Sequence, residues 1–136
     1  MTCRALRRVQ LGGEGMPTDG ERTVNRLLAA YQRLDADGML DCFTEDGAYH
    51  AMGMESADGK DALRALWSEW TTKILTAVSV EVIRQLADDT IVMHERMDRA
   101  EVGDSKVVTP VAAMFDIDSN GLITDWREYF DDPRTP

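Results

Sequence analysis

The sequence reads as an α+β domain, on three grounds. Apolar residues recur with helical period in the first half of the chain, they fall into strand-like runs in the second half, and only turn-forming residues separate those later runs. At 136 residues, 43% of them hydrophobic, the chain is long enough for one sizeable core and too short for two ordinary domains. The single domain is expected over residues 20–132, between a disordered leader over 1–19 and a short tail over 133–136. The leader holds Gly, Pro and Arg without an apolar period.

The elements follow in order. Val24, Leu27, Leu28, Tyr31 and Leu34 make the apolar stripe of a first helix, ended by Asp37-Gly38. Asp37 is a candidate cap for a short second helix carrying Met39, Leu40, Cys42 and Phe43 up to a turn at Thr44-Glu45-Asp46-Gly47. Ala48 to Met54 reads as a strand. A third helix buries Ala62, Leu63, Leu66, Trp67 and Trp70, with Asp58 and Asp61 in its first turn. Four strands then run from Ala77 to Leu86, Thr90 to Ala100, Lys106 to Ile117 and Leu122 to Phe130, as an antiparallel meander. Helices flanking a strongly curved sheet, closed over a pocket, would bury both sets of apolar faces.

Composition narrows function. Twenty-five acidic against fifteen basic residues give a net charge of -10, which repels phosphate backbones and anionic membranes, so no nucleic-acid or membrane partner is expected. No apolar run approaches the ~18 residues of a membrane span and the leader lacks a secretory h-region, so the expectation is a cytoplasmic protein. Cys3 and Cys42 lack metal-like spacing and read as reduced thiols. No phosphate loop, nucleophile elbow or metal-spaced cluster occurs, so neither cofactor nor metal is expected.

The candidate chemistry lies on two strands. Alternation places Val92, His94, Arg96 and Asp98 on one face, and that face is either solvated or part of a site. On the last strand Leu122, Thr124, Trp126, Glu128 and Phe130 share a face, which sets Glu128 between two large aromatic residues. There it is edge-exposed or in a cavity, and in a cavity it needs a partner such as Arg96. If Asp98, Arg96 and Glu128 converge, one guanidinium bridges two acids, and general acid and general base can work together without a covalent nucleophile. Tyr49 could enter the same pocket or wedge at the core edge, His50 points the other way, and His94 is a weak base candidate. The expected substrate pocket is Trp67, Trp70, Met114, Trp126 and Phe130, residues that would serve equally as ordinary core.

The stretches His94-Glu95-Arg96-Met97-Asp98-Arg99, Thr109-Pro110-Val111-Ala112-Ala113-Met114-Phe115 and Gly121-Leu122-Ile123-Thr124-Asp125-Trp126-Arg127-Glu128-Tyr129-Phe130-Asp131 resemble the limonene-1,2-epoxide hydrolase family. Phe43 to Tyr49 and Gly59 to Ala62 are similar to the wider nuclear transport factor 2-like, SnoaL-like superfamily, and the likeness covers about residues 20–132. The resemblance implies a cone of curved mixed sheet and helices around a deep apolar pocket, a homodimer, and a cofactor-free, one-step addition of water to an apolar epoxide. It implies Asp98 as acid, Arg96 as bridge, Glu128 as base and Tyr49 as a holder of the water. Glu128 stands where the family has aspartate, and Ala51 where it has a water-holding asparagine. Within the same superfamily, a ketosteroid isomerase or polyketide cyclase-like enzyme and a non-catalytic binder of hydrophobic ligands are the alternatives.

Overall fold

The computed structural model describes residues 10–11 and 15–136. Its elements are strand β1 (Gln10–Leu11), helices α1 (Asp19–Gln32) and α2 (Ala36–Leu40), strands β2 (Phe43–Ala51) and β3 (Ala57–Asp58), helix α3 (Lys60–Glu69) running into a π-helical turn (Trp70–Ile74), and strands β4 (Ala77–Ala87), β5 (Ile91–Val102), β6 (Ser105–Ile117) and β7 (Ile123–Phe130). They form an α+β domain on one curved, unclosed sheet in the order β1-β4-β5-β6-β7-β2-β3. The expected meander β4 to β7 is present. The sheet is mixed because β2 lies parallel to β7, a pairing that sets Tyr49 beside Trp126 and Ala51 beside Glu128. Of the leader expected to be a tail, Gln10–Leu11 pair with β4, and Thr18 caps α1; the remaining residues up to 14 lie outside those described.

Helix α1 starts earlier than its apolar stripe. Thr18 and Glu21 exchange side-chain and backbone hydrogen bonds as a capping box, satisfying two amides that the helix leaves free. Its buried stripe of Val24, Leu27, Leu28 and Tyr31 packs on the inner face of the sheet. The chain leaves α1 through Leu34 at φ 57°, and α2 is capped by Asp35, whose carboxylate accepts from the Gly38 amide at 3.0 Å. The expected cap, Asp37, lies two residues later, inside the first turn of α2, and pairs with Arg64 on the surface instead. The residues expected as a turn at Thr44–Gly47 are a bulged segment inside β2, since the register to β7 shifts between Phe43 and Ala48. Asp58 belongs to β3, so only Asp61 lies in the first turn of α3.

The core sits between α1, α3 and the inner sheet face, where Phe43, Trp67, Phe115 and Trp126 are almost wholly buried. Phe43 and Trp67 have ring centroids 5.0 Å apart, and Phe115 stacks on Trp126 at 5.4 Å. Cys42 is buried as a free thiol, pushed up to about 11 by burial; Cys3 lies outside the described residues. The β6–β7 turn is fixed by Asp118, whose side chain accepts from the amides of Asn120 and Leu122, both at 2.9 Å. Gly121 closes the turn at φ 79° and accepts from the Thr23 hydroxyl, tying the turn to α1. No helix among the described residues is long and apolar enough to cross a membrane.

Candidate active site

Strand parity decides which side chains meet. On β5 the buried face is the one carrying Val92, His94, Arg96 and Asp98, while Met93 and Glu95 face outward. Hydrogen-bonded pairing lines these residues up in rows across the sheet: His94 with Ala113 and Glu128, Arg96 with Val111 and Phe130, and Asp98 with Thr109. The side chain of Ala113 ends at Cβ, so the long Arg96 side chain has room to pass over β6 toward Glu128.

Arg96, only 1% exposed, bridges both acids. Its Nε donates to Asp98 Oδ1 at 2.8 Å and its Nη2 to Asp98 Oδ2 at 3.1 Å, and Nη2 also donates to Glu128 Oε1. Tyr49 Oη donates to the other Glu128 oxygen at 2.7 Å. Thus Asp98, Arg96, Glu128 and Tyr49, selected from the sequence, converge. Burial by itself would push the guanidinium down, but Glu128 and Asp98 more than offset it and hold Arg96 above its ordinary value. Burial, then Glu128, hold Tyr49 well above the ordinary phenol range, so it remains a donor. The face of Trp126 backs the guanidinium, with its centre 5.8 Å from the ring centroid.

His94 completes the surround of Arg96. Arg96 Nη1 can only donate, so His94 Nε2, 3.2 Å away, accepts, and the imidazole proton resides on Nδ1, which donates to Gln85 Oε1 at 3.2 Å. Gln85 Nε2 donates in turn to Glu21 of the capping box at 3.3 Å. Burial and then the Arg96 charge push His94 down to about 3, so it is a neutral acceptor and is unsuited to act as a base near neutral pH. His50 is on the other sheet face, as expected, 3.5 Å from Asp125.

The two carboxylates open into a cavity of about 330 Å³. Trp70, Ile74, Leu75, Val107, Phe130 and Pro133 give it apolar walls, with Tyr31, Tyr49 and Thr109 as its hydroxyl groups. Of the expected pocket residues, Trp70 and Phe130 line it and three do not. Trp67 and Trp126 are spent in the core behind it, and Met114 faces the other side of the sheet, because on β6 the inward residues are Val111, Ala113 and Phe115. Tyr31 and Thr109 escaped sequence reading: Tyr31 looks like one more member of an apolar stripe, and Thr109 gains meaning only from its pairing with Asp98. Among the described residues no group of three or more His, Cys, Asp or Glu is placed to hold a metal ion.

The chain has counterparts among known proteins. A family model described as the limonene-1,2-epoxide hydrolase catalytic domain matches residues 18–133. Epoxide hydrolase EphG of Mycobacterium tuberculosis (strain ATCC 25618 / H37Rv) is 30% identical over 108 residues, which are 79% of this chain and 70% of that protein. The solved structure of an M. tuberculosis LEH-like epoxide hydrolase matches with a TM-score of 0.73 and 29% identity over 83% of each chain. SalBIII, described as an epoxide hydrolase/cyclase-like enzyme with a role in pyran ring formation in the polyether salinomycin, matches with a TM-score of 0.75 at 17% identity, over 86% of this chain and 95% of its own, a likeness of fold alone. Matched by the family model over nearly all of its described length, the chain belongs to the limonene-1,2-epoxide hydrolase family.

Proposed function

We propose that this protein adds water to an apolar epoxide in one step, giving a vicinal diol. The observation that carries the reading is the Asp98-Arg96-Glu128 bridge with both acids facing one apolar cavity. Two ionised carboxylates around one guanidinium leave a net negative charge in a low-dielectric site, and one proton removes it. Tyr49 donates to Glu128 and can share a water with it, which gives Glu128 the part of the base and leaves Asp98 that of the acid.

Water bound between Glu128 and the Tyr49 oxygen attacks an oxirane carbon. Its oxygen forms the new C–O bond as the ring C–O bond breaks; Glu128 takes the proton leaving the water, and Asp98 gives its proton to the ring oxygen. Solvent takes the proton from Glu128 and returns one to Asp98, which restores the resting state. Ala51, beside Glu128 in the β2–β7 register, offers no hydrogen-bonding side chain, so the water has two protein ligands rather than three.

The test is diol formation from limonene-1,2-epoxide and a small panel of other apolar epoxides. General acid or base assistance contributes about 10²- to 10⁴-fold, so Asp98→Asn and Glu128→Gln should each lose at least about a hundredfold. Unchanged rates in either variant would overturn the reading. Ligand binding without turnover of any epoxide would favour a carrier, and proton exchange beside a ketone would favour an isomerase.

The same reading includes a homodimer. Met52, Ile83 and Tyr129 stand 48–54% exposed and line one groove with Met97 and Pro110, apolar surface that a second copy would cover. Sedimentation should give twice the chain mass for the native protein and the chain mass for Ile83→Asp with Tyr129→Asp; a native monomer contradicts it.

A further inference from the structure

The cavity holds more hydrogen-bonding capacity than opening an epoxide requires. Its polar groups divide into two sets. Asp98, Glu128 and Tyr49 are committed to one another and to Arg96. The hydroxyls of Tyr31 and Thr109 make no hydrogen bond to any described residue, although Tyr31 is 9% exposed and Thr109 half-buried. Both line the cavity. Thr109 lies directly across from Asp98 on the same sheet face, and Tyr31 comes down from α1 close enough to Asp98, Glu128 and Arg96 to feel all three charges. Burial, then those two carboxylates, raise the Tyr31 phenol above its ordinary range, so it stays protonated and faces the cavity as a donor.

A hydrocarbon ligand filling this space would strip water from two hydroxyls and return nothing. Sites that present a buried hydrogen-bonding group discriminate strongly against ligands lacking its partner. No lysine or arginine side chain lines the cavity among the described residues, so an anionic oxygen would be buried there without a counter-charge. The structure assigns to Tyr31 and Thr109 the recognition of a second oxygen on the substrate: an epoxide on an apolar skeleton that also carries one neutral hydroxyl, ether or ketone oxygen close to the oxirane ring. The inference rests on the proposed hydrolysis for the word epoxide, and on the cavity alone for the second oxygen.

A matched pair tests it. Limonene-1,2-epoxide and the epoxide of carveol share one skeleton and differ by a single hydroxyl beside the ring. Wild type should favour the hydroxylated epoxide in kcat/KM by about tenfold or more, the worth of one good hydrogen bond in a dry site. Tyr31→Phe should lower that ratio by about tenfold, and Thr109→Val, which keeps size and shape, should lower it in the same direction. A parallel arm needs no turnover: limonene and carveol, neither an epoxide, are titrated against the protein's tryptophan fluorescence, to which Trp70 at the cavity wall contributes. The carveol-to-limonene affinity ratio should fall by the same factor in the variants. A ratio equal in wild type and both variants overturns the assignment, whether or not epoxides are opened. A shifted binding ratio with no epoxide opened upholds the second-oxygen site and removes the hydrolase reading.

Discussion

Replacing His94 by glutamine gives a direct measure of the electrostatics around Arg96. His94 is 5% exposed and packed between the Arg96 guanidinium, the Gln85 amide, which itself contacts Glu21, and the Phe115 ring at 5.2 Å. Burial and the adjacent Arg96 charge lower its pKa from 6.5 to about 3. The unfolded chain therefore binds a proton at this residue below pH 6.5 that the native protein refuses, so stability is fully present above 6.5 and is lost as pH falls from 6.5 toward 3. At pH 5 the gap from 6.5 is about 1.5 pH units, at 1.36 kcal/mol each, or about 2 kcal/mol. In His94→Gln the amide oxygen can accept the Arg96 Nη1 hydrogen bond in place of Nε2, and the slope is gone because glutamine does not titrate. Urea unfolding at fixed protein concentration, at pH 7.5 and pH 5, gives the assay; every other titrating group is common to both proteins. The wild-type stability relative to His94→Gln should fall by about 2 kcal/mol between the two pH values. A difference constant to within about 0.5 kcal/mol would mean that native His94 takes a proton as readily as an unfolded chain, and the neutral-acceptor argument would fail.

Other consequences are equally specific. Arg96→Met leaves two buried acids without their shared guanidinium and should cost about 3–5 kcal/mol at neutral pH in urea unfolding. Gly121→Ala forces φ 79° on a residue whose new Cβ would lie 2.9 Å from Asp19 Cβ, whereas Gly53 at φ 78° meets open space. Thermal unfolding should therefore show a loss of about 1–3 kcal/mol for Gly121→Ala, and a smaller one for Gly53→Ala. Tyr49→Phe strips one donor from Glu128 and should lower kcat about tenfold, the scale of one hydrogen bond to a charged group, with a smaller effect on KM.

Local signals carried much of this architecture. The apolar stripe of α1, the four-strand meander and the Asp118–Gly121 turn all follow from period and turn chemistry, and alternation alone placed His94, Arg96 and Asp98 on one face. Contacts between distant segments were not available to such reasoning. The cap of α2 shifted to Asp35 because Leu34 takes a positive φ, which no propensity announces at a leucine. Trp67 and Trp126 were expected at the pocket because large aromatics suit either cavity or core; Phe43 and Phe115, which pack against them, settle the choice in favour of core. Met114 was lost to the pocket through strand parity, and that parity could have been read from Phe115 next to it, the larger and more fully buried residue. The Glu21-Gln85-His94-Arg96 chain spans three elements and emerges only once α1 lies across β4 and β5.

In the proposed reaction Asp98 and Glu128 move protons while water itself forms the new bond. Single turnover with enzyme in excess over epoxide, in oxygen-18 water, distinguishes this from covalent catalysis. Direct attack predicts one solvent-derived oxygen-18 atom in every diol molecule from the first turnover and none in the protein. Unlabelled diol on the first turnover, with the label appearing in a carboxylate of Asp98 or Glu128, would mean a covalent ester and would contradict the account.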